Sequence, residues 1–190
     1  MTKKTRCNWA NPKNPLYLKY HDEEWGVPVH DDQKLFEMII LEGAQAGLSW
    51  ETVLNKREGY RKAFKNFDIM KISKMTDAQL EKLMFNEAII RNRLKIYSTR
   101  KNALVFLEIQ KEFGSFDKYA WSFVKGKTIK NKWKDHKNIP ATTKESDAFA
   151  QDLKKRAMSF VGSTIIYAFM QATGMVNDHS LDCFRYKQCK

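Results

Sequence analysis

Three cysteines in 190 residues, Cys7, Cys183 and Cys189, are too few and too odd in number for a disulfide framework. Metal binding is the use that stays open to them. Long apolar runs are also missing: the stretch Met38–Leu41 is closed by Glu42, far short of the ~20 residues that a bilayer demands. The basic N-terminal residues are followed by no apolar segment, so no signal peptide is expected and the cytoplasm is the expected compartment. Repeats and low-complexity tracts are absent, and nothing alternates convincingly as a strand. A secreted scaffold, a membrane span and a repeat array are thereby set aside. The expectation left is an all-α protein with one substantial core.

Charge is what the chain has in excess. Thirty-four Lys and Arg against 22 acids give a net +12. Such a balance favours a polyanionic partner, nucleic acid before an anionic membrane, although a generally basic enzyme has the same composition. No segment pairs a basic face with a wholly apolar one, which weighs against the membrane.

Periodicity outlines the helices. Asp31 or Asp32 caps one carrying Leu35, Phe36, Ile39 and Ile40, closed by Gly43 or Gly47. Ser49 caps a second that carries Val53, Leu54, Tyr60 and Phe64. Thr76 and Gln79 have capping-box spacing. A long helix passes from Ile90 through Leu107 to Gly114, a short aromatic one covers Phe116–Phe123, and the Lys-rich stretch Lys125–Lys137 reads as a loop or a poorly packed helix. Thr143 or Ser146 opens a helix through Leu153, and a last one runs from about Ser163 to Gln171.

Three groups of residues carry chemistry. Cys7, His21, His179 and Cys183 make a closed two-thiolate, two-imidazole set suited to structural zinc. His179 and Cys183 lie four apart, one helical turn. If all four converge, the metal ties the two ends of the chain together; the other reading is two unrelated buried cysteines and two surface histidines. His30 and His136 read as loop residues without partners. Next, Trp9, Tyr17, Tyr20, Trp25 and Trp50 crowd the first fifty residues around Glu42. Flat rings beside one carboxylate suit a planar cationic or hydrogen-bond-donating ligand, such as a methylated purine. The same aromatics also serve as ordinary core, but a carboxylate after Ile39-Ile-Leu41 and before Gly43-Ala44 needs a partner. Lastly, Leu153–Ile165 joins two helices by a turn at Val161-Gly162, with Lys154, Lys155 and Arg156 just upstream. A glycine there lets helix N-terminal amides approach a phosphate, although most helix–glycine–helix breaks are plain turns.

Taken together, Arg6-Cys-Asn-Trp9, Pro15-Leu-Tyr-Leu-Lys-Tyr-His-Asp-Glu-Glu-Trp-Gly-Val-Pro28, Leu35-Phe36-Glu37, Leu41–Trp50, Phe160-Val-Gly162 and Asn177-Asp-His179 resemble the 3-methyladenine DNA glycosylase I family, from Cys7 to about Cys183. The resemblance implies a helix-hairpin-helix glycosylase fold in a single domain of two lobes. One lobe holds the termini, about 1–30 and 165–190, stapled by one zinc on Cys7, His21, His179 and Cys183. The other is a helical body, about 31–164, with the hairpin near 159–164. It further implies Glu42 and Tyr20 as the catalytic polar contacts to the damaged base and Trp50 as stacking surface, with Trp9, Tyr17 and Trp25 shaping the pocket. Leu48, beside Gly47, becomes a wedge, and Phe160, Val161, Gly162, Ser163 and Thr164 become a phosphate clamp.

The implied partner is alkylated double-stranded DNA, the product free 3-methyladenine, the state a monomer, and the chemistry that of a glycosylase without a strand-cleaving step. One departure matters: Asn177 stands where the wider superfamily places a catalytic aspartate, and Asp178, one step on, is expected to point elsewhere. Three competing readings are a non-catalytic zinc-stabilised nucleic-acid-binding module, which leaves Glu42 without purpose, a helical protein–protein adaptor with an aromatic groove, and a glycosylase of shifted lesion range.

Overall fold

A computed structural model describes residues 4–189. Among them the architecture is helical, built around one apolar core. The central element is α2 (Asp32–Gln45), capped by the Asp31 carboxylate, which accepts from the Lys34 amide. Ten consecutive residues of α2, Leu35 to Ala44, are buried, because α3 (Trp50–Asn55), α7 (Arg93–Phe113), α8 (Phe116–Ser122) and α10 (Ser163–Ala172) pack around it. A helix hydrophobic on every side needs such a cover. α1 (Pro15–Glu23) precedes it, capped by Asn14.

Most expected boundaries are present. Ser49 caps α3, Thr76 and Gln79 form a reciprocal capping box on α6 (Asp77–Leu83), and Gly114, with φ 85°, ends α7. Thr143 caps α9 (Lys144–Lys155), with Ser146 completing a second box. Three expectations need correction. Tyr60 does not continue the helix of Val53 and Leu54 but lies on α4 (Arg57–Ala63), after a break at Lys56, and Phe64 caps its end. Ile90 precedes α7. The Lys-rich stretch is no free loop: Ile129–Lys130 (β1) pairs in parallel with Val176–Asn177 (β2). Two residues are too short a strand for alternation to reveal.

The two ends of the chain meet beside α10. The Gly26 amide donates to the Gln171 carbonyl and the Val29 amide to Thr173, both at 3.0 Å. The Phe184 amide donates to the Thr5 carbonyl at 3.0 Å. Gly174 makes the crossing possible. Its φ is +70°, and a Cβ there would lie 2.3 Å from the backbone of Val27 and Pro28.

Candidate functional site: an aromatic pocket beside a closed cysteine–histidine cluster

Where the termini meet, Cys7, His21, His179 and Cys183 bring four buried ligand atoms within 4.8 Å of one another. Bond lengths of about 2.3 Å to sulfur and about 2.05 Å to nitrogen, at tetrahedral angles, put sulfur and nitrogen about 3.5 Å apart. The structure has Cys7 Sγ 3.4 Å from His179 Nδ1, and Cys183 Sγ 3.5 Å from His21 Nε2 and 3.4 Å from His179 Nδ1. The other nitrogen of each ring is engaged. His21 Nδ1 donates to Asp22 Oδ1 at 2.8 Å, and His179 Nε2 donates to the Trp25 carbonyl at 3.0 Å. These bonds set the tautomers that free His21 Nε2 and His179 Nδ1 as acceptors. Arg6 clamps Asp22 from outside, its Nη2 at 2.6 Å, and holds the carboxyl below its ordinary range. A hydrogen bond from Cys7, followed by the two imidazoles, lowers the Cys183 thiol. The cluster can hold a metal ion. Cys189 is buried but stands outside it, its Sγ 3.9 Å from the Trp25 carbonyl.

The pocket adjoins this cluster through Trp25, whose ring meets that of His179 edge to face at 4.6 Å. A cavity of about 290 Å³ is lined by Trp9, Tyr17, Tyr20 and Trp25 from the N-terminal segment, Glu42 and Gln45 from α2, and Trp50 from α3. All five aromatics expected at the site and Glu42 are thus brought together. Trp9 packs tilted on Tyr17 at 5.4 Å and edge-on to Trp25 at 4.8 Å, and Tyr20 tilts on Trp50 at 5.2 Å.

Glu42 is 3% exposed, and its Oε2 has no hydrogen-bond partner among the described residues. Burial alone pushes its carboxyl up to about 8. Trp50 Nε1 is likewise buried without a partner. Tyr20, fully buried, is held well above the ordinary phenol range, first by burial and then by Glu42. The site therefore concentrates polar atoms that the protein itself leaves unsatisfied, inside a wall of rings.

Five of the lining residues were not anticipated: Gln45 from α2, His136 and Ile139 from the segment after β1, and Ala168 and Gln171 from α10. His136 Nδ1 is sealed from solvent 3.3 Å from Asp135 Oδ1, without the alignment of a hydrogen bond. Nor is His30 without a partner: its Nδ1 donates to Asp117 Oδ1 at 2.7 Å, and its ring stacks on Trp121 at 4.5 Å. Ala168 and Gln171, three apart, share one face of α10, a signal that the apolar periodicity around them conceals.

Asp178 is what fastens the segment in place. Its Oδ1 accepts from Asn131 Nδ2 at 2.7 Å and Trp133 Nε1 at 2.8 Å. Its Oδ2 accepts from the Tyr167 hydroxyl and Gln171 Nε2, each at 2.7 Å. It does not itself line the pocket. Asn177 is structural too, its amide donating at 3.0 Å to the carbonyls of both Tyr186 and Cys189. An aspartate could make neither bond.

A second cavity, about 190 Å³, continues from Glu42, Gln45 and Ala168 to Gly47, Leu48 and Thr164. Leu48 is 41% exposed at its edge. In the turn between α9 and α10 the glycine is not the residue with the unusual backbone. Gly162 has φ −65°, and a Cβ on it would meet nothing within 4 Å. The left-handed residues are Ala157 (φ 67°) and Phe160 (φ 58°). Close packing falls instead on Gly43, where a Cβ would lie 3.1 Å from Phe160 Cβ. Val161 is buried in the core, so its side chain faces away from any ligand. Ser163 and Thr164 open α10, whose N-cap offers no side-chain hydrogen bond.

Comparison with known proteins is consistent with this geometry. A family described as methyladenine glycosylase matches residues 9–186. A DNA-3-methyladenine glycosylase of Haemophilus influenzae is 49% identical over 179 residues, covering 94% of this chain and 96% of the relative. The crystal structure of a 3-methyladenine DNA glycosylase I superposes with a TM-score of 0.92 at 50% identity, covering 95% of this chain and 98% of the other. A Staphylococcus aureus 3-methyladenine DNA glycosylase I, solved to explain 3-methyladenine recognition, superposes at 0.91 with 34% identity, covering 94% and 95%.

Proposed function

The chain belongs to the methyladenine glycosylase family, and on that premise we propose that it hydrolyses the N-glycosidic bond of 3-methyladenine in alkylated duplex DNA. Free 3-methyladenine and an abasic site are the products. The observation that carries this reading is Glu42: a sealed carboxyl, with one oxygen unpartnered, facing a cavity walled by five aromatic rings. An unpaired buried polar atom costs roughly 1–3 kcal/mol. A fold tolerates that where a ligand supplies the missing bond.

Methylation at N3 places a positive charge on the adenine, so the base departs neutral and the bond is already weak. The protein has to evert the nucleotide, hold the base and open the sugar to water. Eversion costs a few kcal/mol, least for a damaged base. Leu48, exposed beside the second cavity, fills the space left in the duplex, with Gly47 allowing the approach. The everted purine stacks on Trp50 and is enclosed by Trp9, Tyr17 and Trp25. Glu42 accepts from its exocyclic amine, and Tyr20 supplies a second polar contact. A cation entering beside Glu42 favours the ionised carboxylate that burial disfavours. None of the residues lining this cavity is a lysine, which supports a hydrolase without a Schiff-base lyase step.

The duplex is gripped by α9, α10 and their turn, acting as a helix-hairpin-helix element. The uncapped amides at Ser163 and Thr164 and the open space around Gly162 suit a phosphate, with Phe160 and the Val161 backbone shaping the turn. Cys7, His21, His179 and Cys183 hold one structural zinc, for which the sulfur–nitrogen spacings are right. When bound, it cross-links the termini and takes no part in hydrolysis. A monomer in the cytoplasm completes the proposal.

The test is release of free 3-methyladenine from dimethyl sulfate-treated duplex DNA, read by chromatography. The wild type releases the base, and Glu42→Gln slows release about a hundredfold. A rate in Glu42→Gln close to wild type overturns the role of Glu42. DNA binding without any base release by the wild type favours the non-catalytic module instead.

A further inference from the structure

The wall of the pocket that Glu42 lines also contains an amide whose orientation is dictated from outside. Gln171 Nε2 donates to Asp178 Oδ2 at 2.7 Å, and Gln171 also lines the cavity. An amide nitrogen and oxygen exchange places by a half-turn of the side-chain end, and only the partners decide which way it sits. Here they decide firmly. The Trp133 indole N–H can only donate, and it faces Asp178 Oδ1 at 2.8 Å. The Tyr167 phenol keeps its proton, pushed up first by burial and then by its hydrogen bond to Asp178, and donates to Oδ2 at 2.7 Å. Asn131 gives a further donor to Oδ1. A carboxylate surrounded in this way accepts from every neighbour, so the Gln171 prong that faces it is the NH₂. Turning the amide over would set Oε1 against an oxygen of the buried Asp178 carboxylate, a repulsive contact in place of a hydrogen bond. Oε1 is therefore the prong left for the cavity.

We propose that Gln171 is a specificity-determining residue, locked by Asp178 so that it presents only an acceptor to the base, and that it thereby selects a 6-amino over a 6-oxo 3-methylpurine. Asp178 acts as its positioning residue. The inference rests on the reading of the cavity as a 3-methyladenine pocket. A 6-amino group brings two N–H donors, enough for Glu42 and Gln171 together. A 6-oxo group brings only lone pairs. Glu42 can adapt by carrying a proton and donating it, but Gln171 has no proton to gain and no freedom to turn. The discrimination thus falls on Gln171.

The experiment titrates the full chain with free 3-methyladenine and, separately, with free 3-methylhypoxanthine, its 6-oxo counterpart. Quenching of tryptophan fluorescence reports binding, since Trp9, Trp25 and Trp50 line the cavity. Wild type binds the amino base the more tightly. In Gln171→Met, which leaves Asp178 its other three donors, the ratio of the two affinities falls about tenfold, chiefly by loss of the amino base. In Asp178→Asn the amide is free to turn, and the ratio falls because the oxo base gains. Unchanged ratios in Gln171→Met, with both affinities equal to wild type or lowered in parallel, overturn the proposal and leave the pocket assignment standing. A wild type that binds neither base, and releases none from methylated DNA, overturns the pocket assignment and this inference with it.

Discussion

His179 and Trp25 hold one another twice. His179 Nε2 donates to the Trp25 carbonyl at 3.0 Å, and their rings meet edge to face with centroids 4.6 Å apart. The opposite nitrogen of the same imidazole points into the cysteine–histidine cluster, 3.4 Å from both Cys7 Sγ and Cys183 Sγ. One histidine ring therefore belongs to the metal-ligand set and also backs Trp25, a wall of the aromatic pocket.

Metal removal should consequently be felt in the pocket. We expect about one zinc per chain, and exhaustive chelation to lower the melting temperature by about 10 °C or more, as loss of several kcal/mol implies for a chain of this size. Affinity for free 3-methyladenine should fall with it, because Trp25 loses its fixed neighbour. Metal-free protein with unchanged melting and unchanged base binding contradicts both parts.

Glu42 gives a stability prediction with a definite sign. Its carboxyl sits at about 8 in the folded protein, against an ordinary value of 4.5. Below the lower value the group is protonated in both states and carries no penalty. Between the two, unfolding releases its proton, so stability declines as pH rises, levelling off above the folded value. At pH 7 the penalty is about 3 kcal/mol. Glu42→Gln, which slows base release, should thus be the more stable protein at pH 7 and indistinguishable from wild type near pH 4. Urea melts at the two pH values measure this. A Glu42→Gln variant no more stable at pH 7 than wild type contradicts the burial argument.

Leu48 should separate DNA engagement from base recognition. It is partly exposed and lies at the edge of the second cavity. Leu48→Ala is expected to change folding stability by only ~0.5 kcal/mol. It should leave binding of the free base untouched and slow excision from duplex DNA by about tenfold or more, from loss of the group that fills the gap. Equal loss in the free-base and duplex assays counts against the wedge.

Gly43 should be intolerant of bulk. The close approach of Phe160 leaves no room for a branched side chain on α2, next to Glu42. Gly43→Val overpacks this contact and should cost about 1–3 kcal/mol of stability. It should weaken duplex binding as the turn before α10 is pushed outward. Wild-type stability in that variant shows that the turn yields freely.

Helix starts were legible because a cap is local: Asp31, Ser49, Thr76 and Thr143 each act within three residues of their own position. The aromatic and acidic side of the pocket was legible because its residues are crowded into the first fifty positions, where composition alone draws the eye. The opposite side was not. His136 and Ile139 arrive on a Lys-rich stretch whose order depends on a two-residue strand pair and on Asn131 and Trp133 meeting Asp178. Partners more than forty residues apart leave no mark in local pattern. The left-handed backbone of Phe160, before α10, was illegible for a related reason: it sits against Gly43, a residue remote in the chain.

By itself, the order of residues determined which groups were available: two thiols and two imidazoles at opposite ends, a carboxyl amid apolar neighbours, and helices with marked beginnings. Tertiary structure alone decided what those groups became. It set sulfur and nitrogen at coordination spacing, sealed Glu42 so that burial raised its affinity for a proton, and turned the Gln171 amide one way round. Each of these depends on distance and exclusion of water between residues remote in the chain, and such quantities come into being only when the core closes.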